Sequence, residues 1–155
     1  MYQAVVLEVT IKRIIFIYLL PKGYEGNVYV FFNVEGAPSL EKEKDYCVFD
    51  INHEGYYGTS APDMEYGTVN DKYFYVDSDG RRTEINKTCV RTMGTGSTEF
   101  STPNNEHAYE TLYTGIEVRL KECSLEFETS QNGIKNDDLN KIFKKVVNEY
   151  NIPFP

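Results

Sequence analysis

The chain has 155 residues, 41% hydrophobic and 26% charged, a balance typical of one globular domain rather than a disordered chain. Its 24 acidic residues outnumber the 16 basic ones, and the net charge of −8 argues against nucleic acid as a partner. The acidity is concentrated in residues 35–85, which carry twelve acids and five bases. Apolar runs are too short for a spanning helix, so no transmembrane segment is predicted.

The first part of the chain is rich in Val, Ile, Leu and aromatic residues, which favour strands. Three strands are predicted, at residues 2–10, 13–20 and 27–33. The apolar run Ile14–Leu20 follows a basic pair and faintly resembles a signal peptide. It ends at Pro21 and no small-residue cleavage site follows, so we interpret it as a strand.

Two β-hairpins are predicted in the middle of the chain. The first joins residues 46–51 to residues 56–60 through a turn that ends at Gly55. The second joins residues 72–76 to residues 81–85 through Asp-Ser-Asp-Gly, whose residues tolerate the left-handed backbone of a tight turn. That turn resembles a calcium loop, but an arginine follows where a third ligand would stand, so no metal site is predicted.

The last third of the chain changes from strand to helix. Residues 88–93 predict a strand, Gly94–Ser97 a polar loop, and the alternation over 114–127 two further short strands. The tail predicts a helix because its apolar residues are spaced as one helical face. These residues are Leu139, Ile142, Phe143, Val146, Val147 and Tyr150.

Together these elements predict a mainly β fold. We expect an antiparallel β-sandwich or barrel-like domain over residues 1–135. A C-terminal amphipathic helix over residues 136–150 packs on it, because a helix of this length is marginal alone. The whole chain is then a single domain.

The three cysteines allow two interpretations. Cys47 lies in an apolar strand and is expected to be a buried thiol. Cys89 and Cys123 lie 34 residues apart, and a bridge between them would contribute on the order of 4 kcal/mol in the chain-entropy model. Three reduced thiols in a cytosolic protein are the alternative, and spacing alone does not decide between them.

Motifs for catalysis or cofactor binding are missing from the sequence. His53 and His107 have no partner at zinc-ligand spacing, and the Gly94–Ser97 stretch lacks the lysine and the helix of a phosphate loop. No cofactor, metal site or catalytic residue is therefore predicted. A hydrolase that uses loop carboxylates such as Asp63 and Asp71 stays open as one hypothesis, the third beside the two binding hypotheses given below.

The aromatic strand at residues 72–76 supplies the most specific candidate binding surface. Tyr73 and Tyr75 share one face of this strand, and Phe74 and Val76 share the other. If Phe74 and Val76 face the core, the two tyrosines form an outward contact patch. Burial of both faces inside a sandwich is the favoured alternative.

Four long motifs in the first two thirds of the chain indicate a family. They are PKGYEGNVYV (21–30), GAPSLEKE (36–43), TSAPDMEYGTV (59–69) and DKYFYVDSDGRRT (71–83). With these motifs the sequence resembles a bacterial domain of unknown function found in small proteins classed as secreted proteins and lipoproteins. The resemblance covers roughly residues 16–127 and leaves out the tail helix.

The resemblance carries implications for the cysteines and for location. Members often have a cysteine pair at positions like those of Cys89 and Cys123, which implies a disulfide here. They also often begin with a secretion signal or a lipid-attachment cysteine, which we do not recognise in this sequence, so export and retention both stay open. The chemistry of the family is uncharacterised, so no catalytic residue is carried over.

Two binding hypotheses follow. The leading one is a non-enzymatic, cell-envelope-associated or secreted β-domain with a binding or structural role toward an unknown protein or small ligand. The other is a small acidic cytosolic inhibitor or immunity-type protein whose residues 35–85 bind a basic partner. The oligomeric state is open in both.

Overall fold

The computed structural model describes residues 13–62, 68–69, 71–101 and 108–150. The strands, in chain order, are β1 (Arg13–Pro21), β2 (Gly26–Phe32), β3 (Glu41–Glu43), β4 (Tyr46–Asp50), β5 (Tyr56–Gly58), β6 (Thr68–Val69), β7 (Lys72–Val76), β8 (Arg82–Glu84), β9 (Val90–Ser101) and β10 (Ala108–Val118). A 3-10 turn at Lys87–Cys89 precedes β9, and the helices are α1 (Leu125–Thr129) and α2 (Asn136–Glu149).

These strands form two sheets that pack face to face. The first sheet has the order β3-β4-β1-β7-β8, with β6 also paired to β1. The second sheet has the order β5-β2-β10-β9. The predicted mainly β sandwich with a C-terminal helix is confirmed, and the sandwich is not a closed barrel.

Both sheets are mixed, so the expectation of purely antiparallel sheets is wrong. In the first sheet β1 runs parallel to β4, β6 and β7. In the second sheet β2 runs parallel to β5 and antiparallel to β10. Parallel pairs arise because the chain crosses from β1 to β2 in the other sheet, returns to β3 and β4, and then crosses again to β5.

The hairpin predicted at residues 46–60 is also wrong for this reason. β4 pairs with β1 and β5 pairs with β2, so the turn between β4 and β5 connects the two sheets. The hairpin predicted at residues 72–85 is confirmed, since β7 and β8 are antiparallel partners. The strand predicted at residues 2–10 lies outside the described residues.

The core between the sheets comes from the period-two pattern of the strands. Inward side chains of β1 are Phe16, Tyr18 and Leu20, and those of β2 are Val28, Val30 and Phe32. The other face of β2 is buried as well, because Tyr29 and Phe31 pack beneath α2. β2 therefore belongs to the middle one of three layers. Both of its faces are buried, which is why its sequence is almost continuously apolar.

α2 covers the outer face of the second sheet, as its periodicity predicts. Leu139, Phe143, Val146 and Val147 are buried against that sheet. The Phe143 ring lies 5.8 Å from the Phe31 ring in an edge-on contact. None of the helices in the described ranges is long and apolar enough to cross a membrane.

Two local predictions near the C-terminal end of the sandwich are wrong. Gly94–Ser97 is not a loop but part of β9, where Gly94 to Ser101 pair regularly with β10. Residues 125–129 form α1 rather than a strand, because the Ser124 hydroxyl accepts a hydrogen bond from the Phe127 amide at 3.1 Å and caps the turn.

We predict that Phe143→Ala lowers the free energy of unfolding by about 3–5 kcal/mol, because it leaves a cavity between α2 and the second sheet. Urea denaturation followed by circular dichroism measures the loss. Lys144→Ala, at the next and exposed position, is the matched control and should change stability by less than about 0.5 kcal/mol. Equal losses in the two variants would contradict this packing.

Candidate functional site

A cleft opens where three parallel strands of the first sheet end. β4, β1 and β7 lie side by side in the same direction, so their carboxyl ends meet at one edge. The cleft there has a volume of about 570 Å³. We call it the strand-end cleft, and its lining residues are Leu19 to Lys22, Asp50 to His53 and Val76 to Ser78. Carboxyl ends of parallel strands are common ligand sites in α/β sheets, and this mixed sheet also brings three such ends together.

The strand-end cleft combines an apolar floor with a charged rim. Leu20 and Ile51, both buried, belong to the floor. Lys22, Asp50 and His53 are exposed at the rim and supply groups of both signs and an imidazole. This arrangement suits an amphipathic ligand or an extended segment of a partner.

Two turns hold the rim in place. The Asn52 Oδ1 atom accepts hydrogen bonds from the backbone amides of Glu54 and Tyr56 at 3.0 and 3.1 Å. The Asp77 Oδ1 atom accepts two backbone amides in the β7–β8 turn, each at 2.9 Å. Asp77 therefore acts as a turn residue, as predicted from its sequence context. Within the described residues, no cluster of three or more His, Cys, Asp or Glu side chains could hold a metal ion.

Asp71, one of the predicted site residues, lies at the opposite end of β7 from the cleft. Its Oδ1 atom is buried and has no hydrogen-bond partner among the described groups. Burial raises the pKa of this carboxyl to about 6, and the positive charge of Lys87 opposes that rise. The Asp71 charge also contributes to the raised pKa of Tyr18 and of Tyr73, after their own burial.

We predict that Asp71 makes stability fall as the pH rises from about 4 to 6. A carboxyl with a raised folded-state pKa binds its proton more tightly in the folded protein, so ionisation in that window favours unfolding. Asp71→Asn should remove this fall and raise the free energy of unfolding at pH 7 by about 1–3 kcal/mol. Denaturation curves at pH 4, 5, 6 and 7 measure both effects.

Asp79→Asn, on the exposed β7–β8 turn, is the control for this prediction. It should leave the difference in stability between pH 4 and pH 7 as it is in the parent protein. The same pH dependence in Asp71→Asn as in the parent protein would rule out Asp71 as its source.

The tyrosine pair does not form an outward patch. Tyr73 is buried in the core between the sheets, with its ring 5.2 Å from that of Tyr18. Tyr75 is partly buried against the same core, and its hydroxyl donates to the backbone oxygen of Tyr24 at 2.8 Å. The tyrosine face of this strand is therefore directed into the core, while Phe74 and Val76 on the other face are each partly buried. A binding role for either residue stays a prediction.

Of the remaining polar residues considered in the sequence, the structure describes His53 but not Asp63 or His107. Asp63 and His107 lie outside the described residues. His53 is exposed on the rim of the strand-end cleft. The sequence reasoning missed the cleft because it depends on parallel pairing, which no local pattern reveals.

A disulfide joins Cys89 to Cys123. Cys89 ends the 3-10 turn before β9, and Cys123 follows β10, so the bond closes the base of the β9–β10 hairpin. Cys47 is buried in β4 and is not part of a disulfide.

A buried charge network next to the disulfide was not foreseen from the sequence. Glu117 of β10 and Arg91 of β9 are both buried and form an ion pair. The other Glu117 oxygen accepts from the Arg119 Nε atom at 3.0 Å. Both guanidinium groups lie over the Phe127 ring, at 5.6 and 5.7 Å from its centre, so the network holds α1 against the hairpin.

Comparisons with known proteins identify one family and one solved structure that this chain resembles. The sequence model of DUF6843, a family of unknown function, matches residues 14–127. This match confirms the resemblance found from the motifs. A crystal structure of a "putative lipoprotein" from Bacillus anthracis is 32% identical to this chain, with a TM-score of 0.74. The similarity covers 87% of this chain and 95% of that one. A search of curated proteins found no match.

Proposed function

Because the chain belongs to the DUF6843 family of unknown function, we propose that it is a non-enzymatic binding domain of the cell envelope. The observation that carries the proposal is the 32% identity, across 87% of this chain, to the protein described as a "putative lipoprotein". The domain would present the strand-end cleft to an envelope component or to a partner protein. The acidic cytosolic inhibitor and the carboxylate hydrolase are not favoured by any contact among the described residues.

The disulfide supports an envelope location. Disulfides persist in oxidising compartments and are rare in the cytosol of most bacteria. The Cys89–Cys123 bond spans 34 residues, and a crosslink of that length contributes on the order of 4 kcal/mol in the chain-entropy model. A protein that depends on such a bond for its stability needs a compartment that keeps the bond oxidised.

The strand-end cleft supports a binding role. Its floor is formed by core residues, and two of the turns on its rim are fixed through Asn52 and Asp77. A site of this kind is pre-organised, so little conformational entropy is lost when a ligand binds. Its charged groups of both signs favour a ligand that is itself polar at one end and apolar at the other.

We predict that the native protein fractionates with the cell envelope or the medium and carries an oxidised Cys89–Cys123 pair. Cells are quenched in acid, and the protein is denatured and alkylated with and without prior reduction. Mass spectrometry should find only Cys47 alkylated before reduction and all three cysteines alkylated after it.

The Cys47→Ser variant is the control, because it should show no alkylated cysteine before reduction. A cytosolic protein with Cys89 and Cys123 alkylated before reduction would contradict the proposed location. The binding role is then tested separately, so that the two parts of the proposal can fail independently.

We predict that Lys22→Glu and His53→Ala each weaken binding to isolated cell walls or to membrane vesicles of the source cell by about tenfold, a loss of roughly 1.4 kcal/mol. Sedimentation of the purified protein with each material measures the bound fraction. Lys42→Glu on the exposed strand β3 makes the same charge change outside the cleft and is the matched control. Identical binding by the cleft variants and the control would exclude the cleft as the binding surface.

A further inference from the structure

The two strand orders end in four strands, β3, β8, β5 and β9, and the first three of these are protected against pairing with another strand. β3 and β8, the first and last strands of the first sheet, have three residues each, and all six residues are exposed. Arg82 of β8 forms two hydrogen bonds with Glu43 of β3, at 3.2 and 2.8 Å, so the curved sheet brings its two edges near each other. Short, charged edges of this kind are a common device against aggregation.

The third edge, β5, is protected by the end of α2. β5 has three buried residues, and the Tyr56 hydroxyl donates to Glu149 of α2 at 2.5 Å. Tyr150 lies so close to Gly58 that a Cβ atom there would be 3.1 Å from the ring. The edge is therefore covered by side chains rather than open to a further strand.

The fourth edge, β9, has none of these protections over most of its length. It is twelve residues long and pairs only with β10 among the described strands. A bulge near Met93 interrupts its start, but Gly94 to Ser101 keep an unbroken register with β10. From Thr92 to Ser101 it contains no Lys, Arg or Pro, and Glu99 is its one charged residue. α1 reaches only its beginning, where Phe127 contacts Arg91.

The charges beside the β9 edge indicate the charge of a strand that would bind there. Glu99 lies directly opposite Glu110 of β10, and both side chains are exposed. Directly opposed residues share a face of the sheet, and like charges in such a pair repel each other. A basic side chain on a strand added next to β9 would lie beside these two carboxylates and relieve that repulsion. The net charge of −8 also attracts a cationic partner at long range.

The neighbouring side chains favour close approach of another backbone. Gly94 and Gly96 carry no side chain, and Thr95 and Ser97 are small and exposed. Tyr113 of β10 lies across Gly96, where a Cβ atom would collide with its hydroxyl. The edge thus offers backbone groups for hydrogen bonds and an aromatic ring for an incoming side chain, as in recognition by strand addition.

We propose that the β9 edge, Gly94 to Ser101, binds an extended, positively charged segment of a partner protein as an additional strand of the second sheet. A second copy of this chain fits less well, because each copy has a net charge of −8 and would bring its own Glu99 to the shared edge. The proposal concerns the second sheet and does not depend on the strand-end cleft or on the location of the protein.

The test uses the full chain and two synthetic octapeptides, Lys-Val-Lys-Thr-Lys-Val-Lys-Thr and the same sequence with Glu in place of Lys. Fluorescence anisotropy should show at least about tenfold tighter binding of the Lys peptide, with the difference shrinking as salt is added. Amide hydrogen exchange should be fast at the outer amides of β9 in the free protein and slow when the Lys peptide is bound.

Two edge variants and two matched controls locate the binding. Ser97→Lys adds the charge that protects other edges, and Glu99→Gln removes one carboxylate; each should weaken binding of the Lys peptide by about tenfold or more. Thr83→Lys and Glu84→Gln make the same changes on the exposed edge β8 and should leave binding within about twofold of the parent protein.

Four results would overturn the proposal. They are equal binding of the two peptides, equal effects of the edge variants and their controls, slow exchange of the outer β9 amides in the free protein, and a dimer of the free chain that Ser97→Lys dissociates. The last two would mean that another segment or a second copy already occupies the edge.

Discussion

Burial of β2 on both faces is the constraint on which the rest of the structure depends. Val28, Val30 and Phe32 face the first sheet, while Tyr29 and Phe31 face α2. A strand with two apolar faces needs a layer on each side, because exposing either face would leave a large apolar surface in water. The sandwich supplies one layer, and the C-terminal helix supplies the other.

The crossing of the chain between its two sheets links this constraint to the candidate site. Each return to the first sheet adds a strand parallel to β1, so β4, β1 and β7 end at one edge. The turns that follow them face one another and form the strand-end cleft. The cleft is thus a consequence of topology, and its rim residues come from turns far apart in the sequence.

The β9–β10 hairpin forms the edge of the second sheet that no other described strand pairs with. Its base is fixed by the Cys89–Cys123 disulfide and by the buried pair of Arg91 and Glu117, which also hold α1 in place. Beyond that base the hairpin extends past the end of its pairing with β2. A rigid base and an exposed edge are what recognition by strand addition requires.

The amino-acid sequence by itself determined the mainly β class, the strands β1, β2 and β7, the β7–β8 turn and the amphipathic helix α2, because period-two and period-3.6 patterns are local and each buried face shows in the spacing of its residues. Strand direction, the partner of each edge, and the approach of Arg91 to Glu117 were decided only by the tertiary structure. Those features depend on which distant segments pair, and local spacing is the same whether a strand runs parallel or antiparallel to its neighbour. The resemblance of the motifs to a known family indicated the cysteine pair. The strand-end cleft, and the β9 edge that no other described strand covers, exist only once the sheets are assembled.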